Sequence, residues 1–281
     1  MKLKINRNDS RTYEQLKKHY EFEKNQANIL RNASKMDRRN LYTIVYDEQF
    51  RFRKQNPEQN FKSDQENSTT NIEISMKFLN RFLTKNTIFL EIGPGDYKLT
   101  FEIAKFVKKV YAVDVCTEIE KTIIPPKNFI LIISDGCSIE VPENSINIAY
   151  SKSMMEHLHP EDAFDQLQNI YSALAPGGFY VCITPNRIIG PHDISKYFDE
   201  VATGFHLKEY TVRELHTLFI KVGFSKIYYY IGGKGFYLKF PILLIEIIEK
   251  FLSLQSCSFR KTIARSFLFQ ALLGIKIVGK K

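Results

Sequence analysis

The sequence predicts an α/β fold built on a doubly wound, mostly parallel sheet of seven strands. From residue 87 onwards, short apolar segments alternate with segments of helical periodicity, which is typical of a parallel sheet covered by helices on both faces. The 281 residues are 44% hydrophobic and 25% charged, so the chain can bury a full core. We therefore expect one large domain with added N-terminal helices and a helical insertion before the last strand.

Residues 1–86 are expected to form a helical N-terminal extension and a linker. Residues 1–55 are polar, with apolar positions such as Leu16 and Val45 that suit helices. Residues 53–71, RKQNPEQNFKSDQENSTTN, are polar with one proline and predict a loop. The stretch that follows, NIEISMKFLNRFL, returns to helical spacing and predicts a helix.

Residues 87–233 carry the alternation that predicts the core. Six strands are expected, at TIFLEIG, KVYAVDV, FILIISD, INIAYSK, GFYVCITP and FSKIYYYIG. The helices expected between them are KLTFEIAKFV, CTEIEKTII, EDAFDQLQNIYSALA and TVRELHTLFIKVG. For the last of these, Thr211 is the expected N-cap and Gly223 follows the C-terminal end.

Residues 234–281 are expected to complete the sheet after a helical insertion or lid. KFPILLIEIIEKFLSL predicts an apolar helix, SFRKTIARSFLFQALL a basic helix, and GIKIVGKK the seventh strand. Because apolar helices are generally buried, we expect the first helix to pack against the N-terminal helices. The alternative is a lid or membrane-facing surface, in which Arg260, Lys261 and Arg265 meet anionic lipid head groups.

The positive charge of the chain belongs to its two ends. Residues 1–86 hold 18 Lys and Arg against 11 Asp and Glu, residues 87–233 hold 13 against 18, and residues 234–281 hold 9 against 2. Enzymes that act on nucleic acids more often concentrate positive charge around the active cleft. A nucleic-acid partner is therefore not expected. Basic ends suit a membrane surface, an acidic partner or, most commonly, solvated helix faces.

The cysteines and the N-terminus indicate a cytoplasmic protein. Cys116, Cys137, Cys182 and Cys257 are scattered, without the paired spacing of zinc sites or the density of a disulfide framework. The N-terminus is charged where a secretory signal has its apolar core, and no segment reaches about eighteen uncharged apolar residues. No metal site is expected from this pattern.

The stretch FLEIGPGDYKLT places Gly93 and Gly95 in the turn between the first predicted strand and the first helix of the core. Without a Cβ atom, these residues allow a sharp turn and a close approach of the backbone to a ligand. Asp114 ends the next strand, where a carboxylate can bind both hydroxyls of a ribose. Asp135 and Gly136 end the third strand. Together these strand ends predict a nucleoside pocket.

The residues around the turn indicate which nucleoside is bound. Lys98 stands where the dinucleotide fingerprint G-x-G-x-x-G requires its third glycine, and the P-loop pattern is absent. Glu91 beside the turn would repel a phosphate and attract a cation. S-adenosylmethionine has a ribose and an adenine, carries an ammonium and a sulfonium, and has no phosphate.

The segment from about residue 86 to 230 resembles the class I S-adenosylmethionine-dependent methyltransferases of the small-molecule kind. FLEIGPGDYK is similar to the first motif of that family, VYAVDV to the acidic end of its second strand and SDG to its adenine-contacting turn. INIAYSKSMMEHL, LAPGGFYVCITPN and HLKEYTVRELHTLFIKVGF follow in the family's order. The resemblance implies a Rossmann-like fold in which the last strand runs antiparallel beside the fifth.

The resemblance also implies a set of cofactor-binding residues. Glu91, Gly93 and Gly95 would lie near the methionyl part, Asp114 on the ribose and Asp135 at the adenine amino group. The full set is Glu91, Gly93, Pro94, Gly95, Asp114, Val115, Asp135, Gly136, Ser151 and Lys152. This sequence departs from the family at Tyr97, where many members have a third glycine.

Methyl transfer from a sulfonium is an in-line displacement that needs alignment of donor and acceptor rather than a metal. A base helps only where the acceptor must lose a proton. The 27-residue connection PNRIIGPHDISKYFDEVATGFHLKEYT follows the fifth strand and contains His206, the first candidate, and His192, the second. His157, in MMEHL, borders the cleft and is the third. For each histidine, ordering of its own loop is the alternative role.

These observations predict methyl transfer from S-adenosylmethionine to oxygen or nitrogen of a small-molecule, lipid-linked or glycan acceptor. No [DN]-P-P-[YF] motif follows the fourth strand, which argues against methylation of a base's exocyclic amine. One alternative is a non-catalytic methyltransferase-like binding protein. The other is an RNA or protein methyltransferase that docks through its basic flanking helices. Peripheral contact with a membrane is expected, if at all, through the basic C-terminal helices.

Overall fold

A computed structural model describes residue 9 and residues 11–57, 63–118 and 124–281, apart from the side chains of residues 63–68. Within these ranges the chain forms a sheet of eight strands in the order β3-β2-β1-β4-β5-β8-β6-β7. The strands are β1 (Ile88–Ile92), β2 (Lys109–Asp114), β3 (Phe129–Ile133), β4 (Ile146–Lys152), β5 (Leu174–Thr184), β6 (Lys226–Gly233), β7 (Phe236–Phe240) and β8 (Ile275–Lys280).

The described helices precede the sheet, alternate with its strands and follow its seventh strand. They are α1 (Tyr13–Asn32), α2 (Lys35–Gln55), α3 (Ser63–Leu79), α4 (Lys98–Ala104), α5 (Pro160–Ala173), α6 (Val212–Val222), α7 (Ile242–Ser253), α8 (Cys257–Ile263) and α9 (Phe267–Leu273). Thr211 caps α6 in a capping box and Gly223 ends it in the left-handed conformation, as expected. Of the helix expected at 116–124, residues 119–123 lie outside the described ranges.

The five parallel strands β1 to β5 confirm the predicted fold class. β1 pairs in parallel with β2 on one side and with β4 on the other, so the strand order reverses direction at this point. The carboxyl ends of these strands therefore lie at one edge of the sheet, on either side of a crevice. In doubly wound sheets this crevice is where ligands bind.

The far side of the sheet differs from the expectation by one strand. β8 runs antiparallel between β5 and β6, as the resemblance implies. β7 is an eighth strand that forms a hairpin with β6 through a turn at residues 234–235. The segment FYLKF has the alternating side-chain pattern of a strand, but it is short and directly precedes the apolar run of α7. Its last residues were therefore expected to belong to that helix.

Helices cover both faces of the sheet, and the alternation of side chains along each strand separates two cores. Leu90 and Ala149 point to the face covered by α2, α5 and α6. Phe89, Ile148 and Tyr150 point to the opposite face, where α3 and α4 pack. Alternate residues of a strand face opposite sides, so these buried runs explain why the strands read as continuous apolar segments.

The loop expected over residues 53–71 is wrong in extent. α2 continues to Gln55 and α3 begins at Ser63. The polar composition indicated a loop, but both helices have solvent-facing sides that tolerate polar residues.

Arg38 fixes α2 to the core. Its Nε donates to Oδ2 of Asp162 at 2.6 Å, and one of its Nη atoms donates to Glu161 at 2.6 Å. Asp162 also accepts from the hydroxyl of Tyr42 at 2.8 Å. Arg38, Asp162 and Tyr42 are all buried. A buried ion pair is tolerated only when hydrogen bonds satisfy its charged groups. Here three donors, two nitrogens of Arg38 and the hydroxyl of Tyr42, converge on the carboxylate of Asp162.

The expected burial of the apolar C-terminal helix is also wrong. α7 buries Ile245, Glu249 and Leu252 and packs against α6, but it exposes much of its apolar side. The basic helix expected after it is two short helices, α8 and α9, which separate at residues 264–266. Among the described residues, no helix has the length and hydropathy needed to cross a membrane.

Candidate cofactor and acceptor site

A cavity of about 460 Å³ opens at the carboxyl edge of the parallel strands. The turns after β1, β2 and β3 form its floor, α2 forms one wall, and residues 153–158 together with part of the connection after β5 complete it. Among the residues that line it are Gly93, Gly95, Asp114, Val115, Ser134, Gly136, Met154, His157, Gln166, His192, Phe205 and His206. A cavity of this size suits a ligand such as a nucleoside with a side chain.

The two glycines of the first turn are required for different reasons. Both have positive φ angles, 66° at Gly93 and 63° at Gly95, which side chains disfavour. A Cβ on Gly93 would lie 2.7 Å from Cγ of Met154, so the turn and residues 153–158 could not approach as they do. A Cβ on Gly95 would meet nothing within 4 Å. The absence of a side chain at Gly93 thus lets the turn pack against Met154 and close the cavity wall. The absence of a side chain at Gly95 leaves open space beside that wall.

Tyr97, the departure from the family pattern, lies outside this cavity. It occupies the N-cap position of α4 with a φ of 59°, and its side chain is fully buried. Its ring packs 6.1 Å from that of Phe101 and 5.9 Å from that of Phe129. The aromatic side chain therefore fills the core behind the turn and does not narrow the cavity.

Glu91 lies behind the glycine turn rather than in the cavity lining. Its carboxylate accepts a hydrogen bond from the hydroxyl of Thr100, and both residues are buried. Burial raises the pKa of Glu91 to about 8, although the Thr100 hydroxyl and the charge of Lys152 act in the opposite direction. Ser151, also outside the lining, is fully buried and forms a 2.7 Å hydrogen bond with Tyr180.

Asp114 ends β2 and lines the cavity. Its Oδ1 accepts from the N–H groups of Val115 at 2.7 Å and Cys116 at 3.0 Å. Burial raises the pKa of Asp114, while these N–H groups and that of Gly95 lower it. The backbone thereby fixes the rotamer of a carboxylate at the place where a ribose is expected.

The third strand end presents Gly136 to the cavity but turns Asp135 away from it. Oδ1 of Asp135 accepts from the N–H groups of Cys137 and Ser138, and Oδ2 accepts from Arg39 at 3.0 Å. A Cβ on Gly136 would lie 2.7 Å from the ring of Tyr42, so only glycine lets α2 approach this turn.

Gln166 is the polar side chain of α5 beside this turn. It lines the cavity, and its amide nitrogen donates to the carbonyl of Gly136 at 2.7 Å. Its Oε1 is buried and has no hydrogen-bond partner in the described part of the chain. A buried amide oxygen in a cavity wall is an acceptor for a ligand N–H group.

The wall contributed by α2 was missed by the sequence analysis. Tyr42, Tyr46 and Phe50 recur every four residues and so share one side of the helix, with Gln49 and Arg53 beside them. The aromatic spacing at i, i+4 and i+8 is visible in the sequence. It was not recognised because the apolar positions considered there, including Val45, pack into the core instead.

His206 and His157 come together although they are 49 residues apart. Their rings lie 5.0 Å apart and nearly perpendicular. Nδ1 of His206 is 2.7 Å from Oε1 of Glu209, and Nδ1 of His157 is 3.0 Å from the carbonyl oxygen of Phe205. Since both partners are acceptors, each Nδ1 carries the proton and each Nε2 is the remaining ligand atom.

The two rings differ in their electrostatic surroundings. Burial lowers the pKa of His157 to about 3, so this ring is neutral. Burial also lowers the pKa of His206, but the hydrogen bond to Glu209 and the charge of Glu156 outweigh it, and the net shift is upward. Glu156 is completely buried beside them and accepts from the hydroxyl of Thr184 at 2.7 Å.

His192 also lines the cavity but is tied to its own segment. Its Nε2 lies 3.1 Å from the carbonyl oxygen of Asn186, and its backbone N–H donates to Oε1 of Glu209 at 2.7 Å.

Of the thirteen residues expected at the site, eight line the cavity: Gly93, Gly95, Asp114, Val115, Gly136, His157, His192 and His206. The five that do not are Glu91, Pro94, Asp135, Ser151 and Lys152.

Comparison with known proteins decides the family. Residues 18–229 match the family model described as a methyltransferase domain. The chain belongs to this methyltransferase family. It is accordingly a class I S-adenosylmethionine-dependent methyltransferase, as the motifs around the glycine turn predict. The match begins within α1, so it includes the helices that close the cavity.

Solved structures of methyltransferases are similar to this chain at low sequence identity. A methyltransferase from Haloferax volcanii, described as putative and solved in complex with the Trm112 activator, is 11% identical with a TM-score of 0.54, covering 77% of this chain and 92% of that one. A methyltransferase from Archaeoglobus fulgidus is 20% identical with a TM-score of 0.47, covering 74% and 91%.

A phosphoethanolamine N-methyltransferase from Haemonchus contortus, solved with phosphomonomethylethanolamine and S-adenosylhomocysteine, is 18% identical with a TM-score of 0.49. The match covers 76% of this methyltransferase and 52% of that enzyme, so the present chain spans about half its length. No curated protein matches the sequence.

Proposed function

We propose that this methyltransferase transfers a methyl group to oxygen or nitrogen of a lipid-linked acceptor at the cytoplasmic surface of a membrane. One observation carries the proposal: the region from β7 to α9 presents large apolar side chains to solvent. Single exposed apolar residues are ordinary, but a concentration of them marks an interaction surface. Cys137, Cys182 and Cys257 carry free thiols, which suits a reducing compartment.

Ten apolar side chains in residues 236–268 are each 47% or more exposed, and together they form the C-terminal apolar surface. On α7 they include Leu243, at 67%, and Phe251, at 61%. Leaving such side chains in water costs about 1.5–3 kcal/mol each relative to burying them. The ten are Phe236, Leu238, Leu243, Leu244, Ile247, Phe251, Leu254, Phe259, Phe267 and Leu268.

Charge favours an anionic membrane as the occupant of this surface. Residues 234–268 carry 6 Lys and Arg against 2 Asp and Glu. Of those two acids, Glu249 is buried and Glu246 lies 2.8 Å from His216. Lysine and arginine near a membrane surface contribute about 1 kcal/mol each on anionic lipids, and apolar side chains contribute by insertion.

The C-terminal apolar surface is connected to the segment that carries the histidines. α7, α8 and α9 pack around Ile188 and Ile189, which follow β5. The amide nitrogen of Asn186 donates to Glu249 at 2.6 Å and to the carbonyl of Leu273 at 2.9 Å. An acceptor that enters from the lipid would thus meet the connection in which His192 and His206 lie.

For the cofactor, we propose that Asp114 binds the ribose hydroxyls beside Val115, and that the backbone at Gly93 and Gly95 lies against the methionyl part. The adenine would stack near Gly136. Because Asp135 is held by Arg39, Oε1 of Gln166 is the better candidate for the adenine amino group. Glu91, which burial keeps protonated below about pH 8, would support the glycine turn from behind through Thr100. Lys152 would lie behind the same wall, while Pro94 and Ser151 would support its shape.

For the acceptor, we propose contact with His206 and His157, with His192 positioning Glu209. Phe205 and the aromatic side of α2 would hold the apolar part of the acceptor. Methyl transfer then requires that the nucleophilic atom lie in line with the C–S bond in a cavity from which water is excluded.

Vesicle sedimentation tests the membrane part of this proposal. The full-length protein should sediment with phosphatidylcholine vesicles that contain phosphatidylserine, and salt should weaken that binding. The double variant Leu243→Gln and Phe251→Gln should bind at least about tenfold more weakly, since each side chain loses about 2 kcal/mol of insertion energy. Ile220→Gln, a 58% exposed residue of α6, is the matched control. Equal binding of the double variant and the wild type would refute the membrane surface.

A label experiment tests the acceptor class. The protein would be incubated with a membrane fraction and S-adenosylmethionine that carries a radioactive methyl group. We expect label in the organic-solvent extract, at a level above that of Asp114→Ala. Label confined to the aqueous phase would contradict the lipid-linked acceptor while leaving the methyltransferase assignment intact.

A further inference from the structure

Glu156, His157 and His206 converge at one point of the cavity wall. One nitrogen or oxygen atom from each of the three side chains can be chosen so that all lie within 4.8 Å of one another. His157 and His206 line the cavity. The two imidazole rings stand at 85° to each other in an edge-to-face contact.

Each of the three side chains is oriented by a second partner. Nδ1 of His206 donates to Glu209, which is a carboxylate–histidine arrangement, and Nδ1 of His157 donates to a backbone carbonyl. Oε2 of Glu156 accepts from the hydroxyl of Thr184. Histidine ligands of metal ions typically donate their second N–H in this way, which fixes the tautomer and the ring. What remains is Nε2 of each histidine and Oε1 of the glutamate.

Oε1 of Glu156 is the independent observation that points to a ligand. Glu156 is 0% exposed, and this oxygen has no hydrogen-bond partner in the described part of the chain. A buried acceptor left unsatisfied costs about 1–3 kcal/mol, and more when it is charged. The methyl-transfer proposal gives this atom no role. A cation bound between it and the two histidines would satisfy it.

We propose that Glu156, His157 and His206 bind a divalent transition-metal ion. Two imidazoles and one carboxylate suit Zn²⁺ and its neighbours rather than Mg²⁺ or Ca²⁺, which prefer oxygen ligands. Three protein ligands leave a position open, as in catalytic zinc sites. Ligand atoms bonded to one tetrahedral Zn²⁺ at 2.0–2.2 Å are about 3.4 Å apart. Since ligand atoms of the three side chains lie within 4.8 Å of one another, closure by at most about 1.4 Å would bring such a set to that spacing.

The open position gives the ion a role in methyl transfer, and this part of the inference rests on the proposed function. A hydroxyl of the acceptor that binds there becomes more acidic and loses its proton to water while the cavity is still open. The resulting oxygen attacks the methyl carbon, the new C–O bond forms as the C–S bond breaks, and the electron pair of that bond goes to sulfur. S-adenosylhomocysteine and the methyl ether are the products.

Titration calorimetry with Zn²⁺ alone tests the site without cofactor or acceptor. The full-length protein, freed of metal by dialysis against a chelator, should bind one equivalent. With Co²⁺ as the probe, the absorption spectrum should lack thiolate-to-metal charge transfer, because no cysteine belongs to the site. Glu156→Gln, His157→Gln and His206→Gln should each weaken binding by at least about 100-fold, and Glu209→Gln by about 10- to 100-fold.

The control variant is His216→Gln, which removes a histidine that is paired with a glutamate elsewhere on the chain. It should bind Zn²⁺ as the wild type does. Circular dichroism and S-adenosylmethionine binding of each variant report whether the fold and cofactor pocket persist. No saturable binding to the wild type, or unchanged affinity in the folded His157→Gln and His206→Gln variants, would overturn the metal site. Because the readout is metal affinity, failure of the lipid-linked acceptor would leave this result unaffected.

Discussion

The buried carboxyl group of Glu91 predicts a stability that falls as the pH rises. Its pKa is raised from the usual 4.5 to about 8 in the folded protein, chiefly by burial. In the unfolded chain the group ionises near 4.5, so between these values the folded state holds a proton that the unfolded state has lost. The free energy of unfolding therefore decreases from about pH 4.5 to about pH 8.

The size of this effect follows from the shift. About 3.5 pH units at 1.36 kcal/mol per unit give about 5 kcal/mol between the two ends of the window. Glu91→Gln keeps the shape and can still accept from Thr100, but it removes the titrating group. The variant should gain stability relative to the wild type as the pH rises, by about 4 kcal/mol between pH 5 and pH 8.

Urea unfolding at pH 5, 6, 7 and 8, followed by circular dichroism, measures this difference. Glu102→Gln, on α4 next to Lys105, is the control, and its difference from the wild type should stay constant with pH. If the curves for Glu91→Gln and the wild type ran parallel across the window, Glu91 would be ionised in the folded protein and the reasoning from burial would be refuted.

Two further pairs of variants test the packing around the site. Gly95→Ala should cost about 1 kcal/mol in urea unfolding, from the positive φ alone, and Gly93→Ala at least about 2 kcal/mol, since its Cβ also overlaps a side chain. Equal costs would contradict the contact. Arg38→Met should cost about 3–5 kcal/mol because it leaves the buried Asp162 without its cation, whereas Arg39→Met, at a partly exposed pair, should cost under about 1 kcal/mol. Similar losses from both would contradict the buried network.

The sheet can be predicted from the sequence because each of its parallel strands is encoded by one short, continuous stretch of residues. Each parallel strand is buried on both faces, so it appears as a continuous apolar run between turn residues. The motif at Gly93 and the carboxylate at Asp114 occupy strand ends, and the strand order alone brings those ends together. For this reason the cofactor side of the cavity is largely visible before the structure is known.

The acceptor side depends on contacts between distant segments, and no local pattern encodes them. Glu156 and His206 are 50 positions apart and meet only because the connection after β5 folds back over the turn that follows β4. The side of α2 that lines the cavity depends on how α2 packs, which its weak apolar periodicity does not fix. The outward orientation of α7 was missed for the opposite reason, because apolar composition was equated with burial.

The most direct test of the account is calorimetric titration of the purified protein with S-adenosylmethionine, with NAD(H) in parallel and Asp114→Ala as the control. A carboxylate that accepts two ribose hydroxyls contributes about 1.5–3 kcal/mol per hydrogen bond, so the variant should bind at least about 100-fold more weakly. The account predicts saturable S-adenosylmethionine binding that this substitution abolishes, and no binding of NAD(H). Absence of S-adenosylmethionine binding to the wild type, or equal affinity in Asp114→Ala, would contradict it.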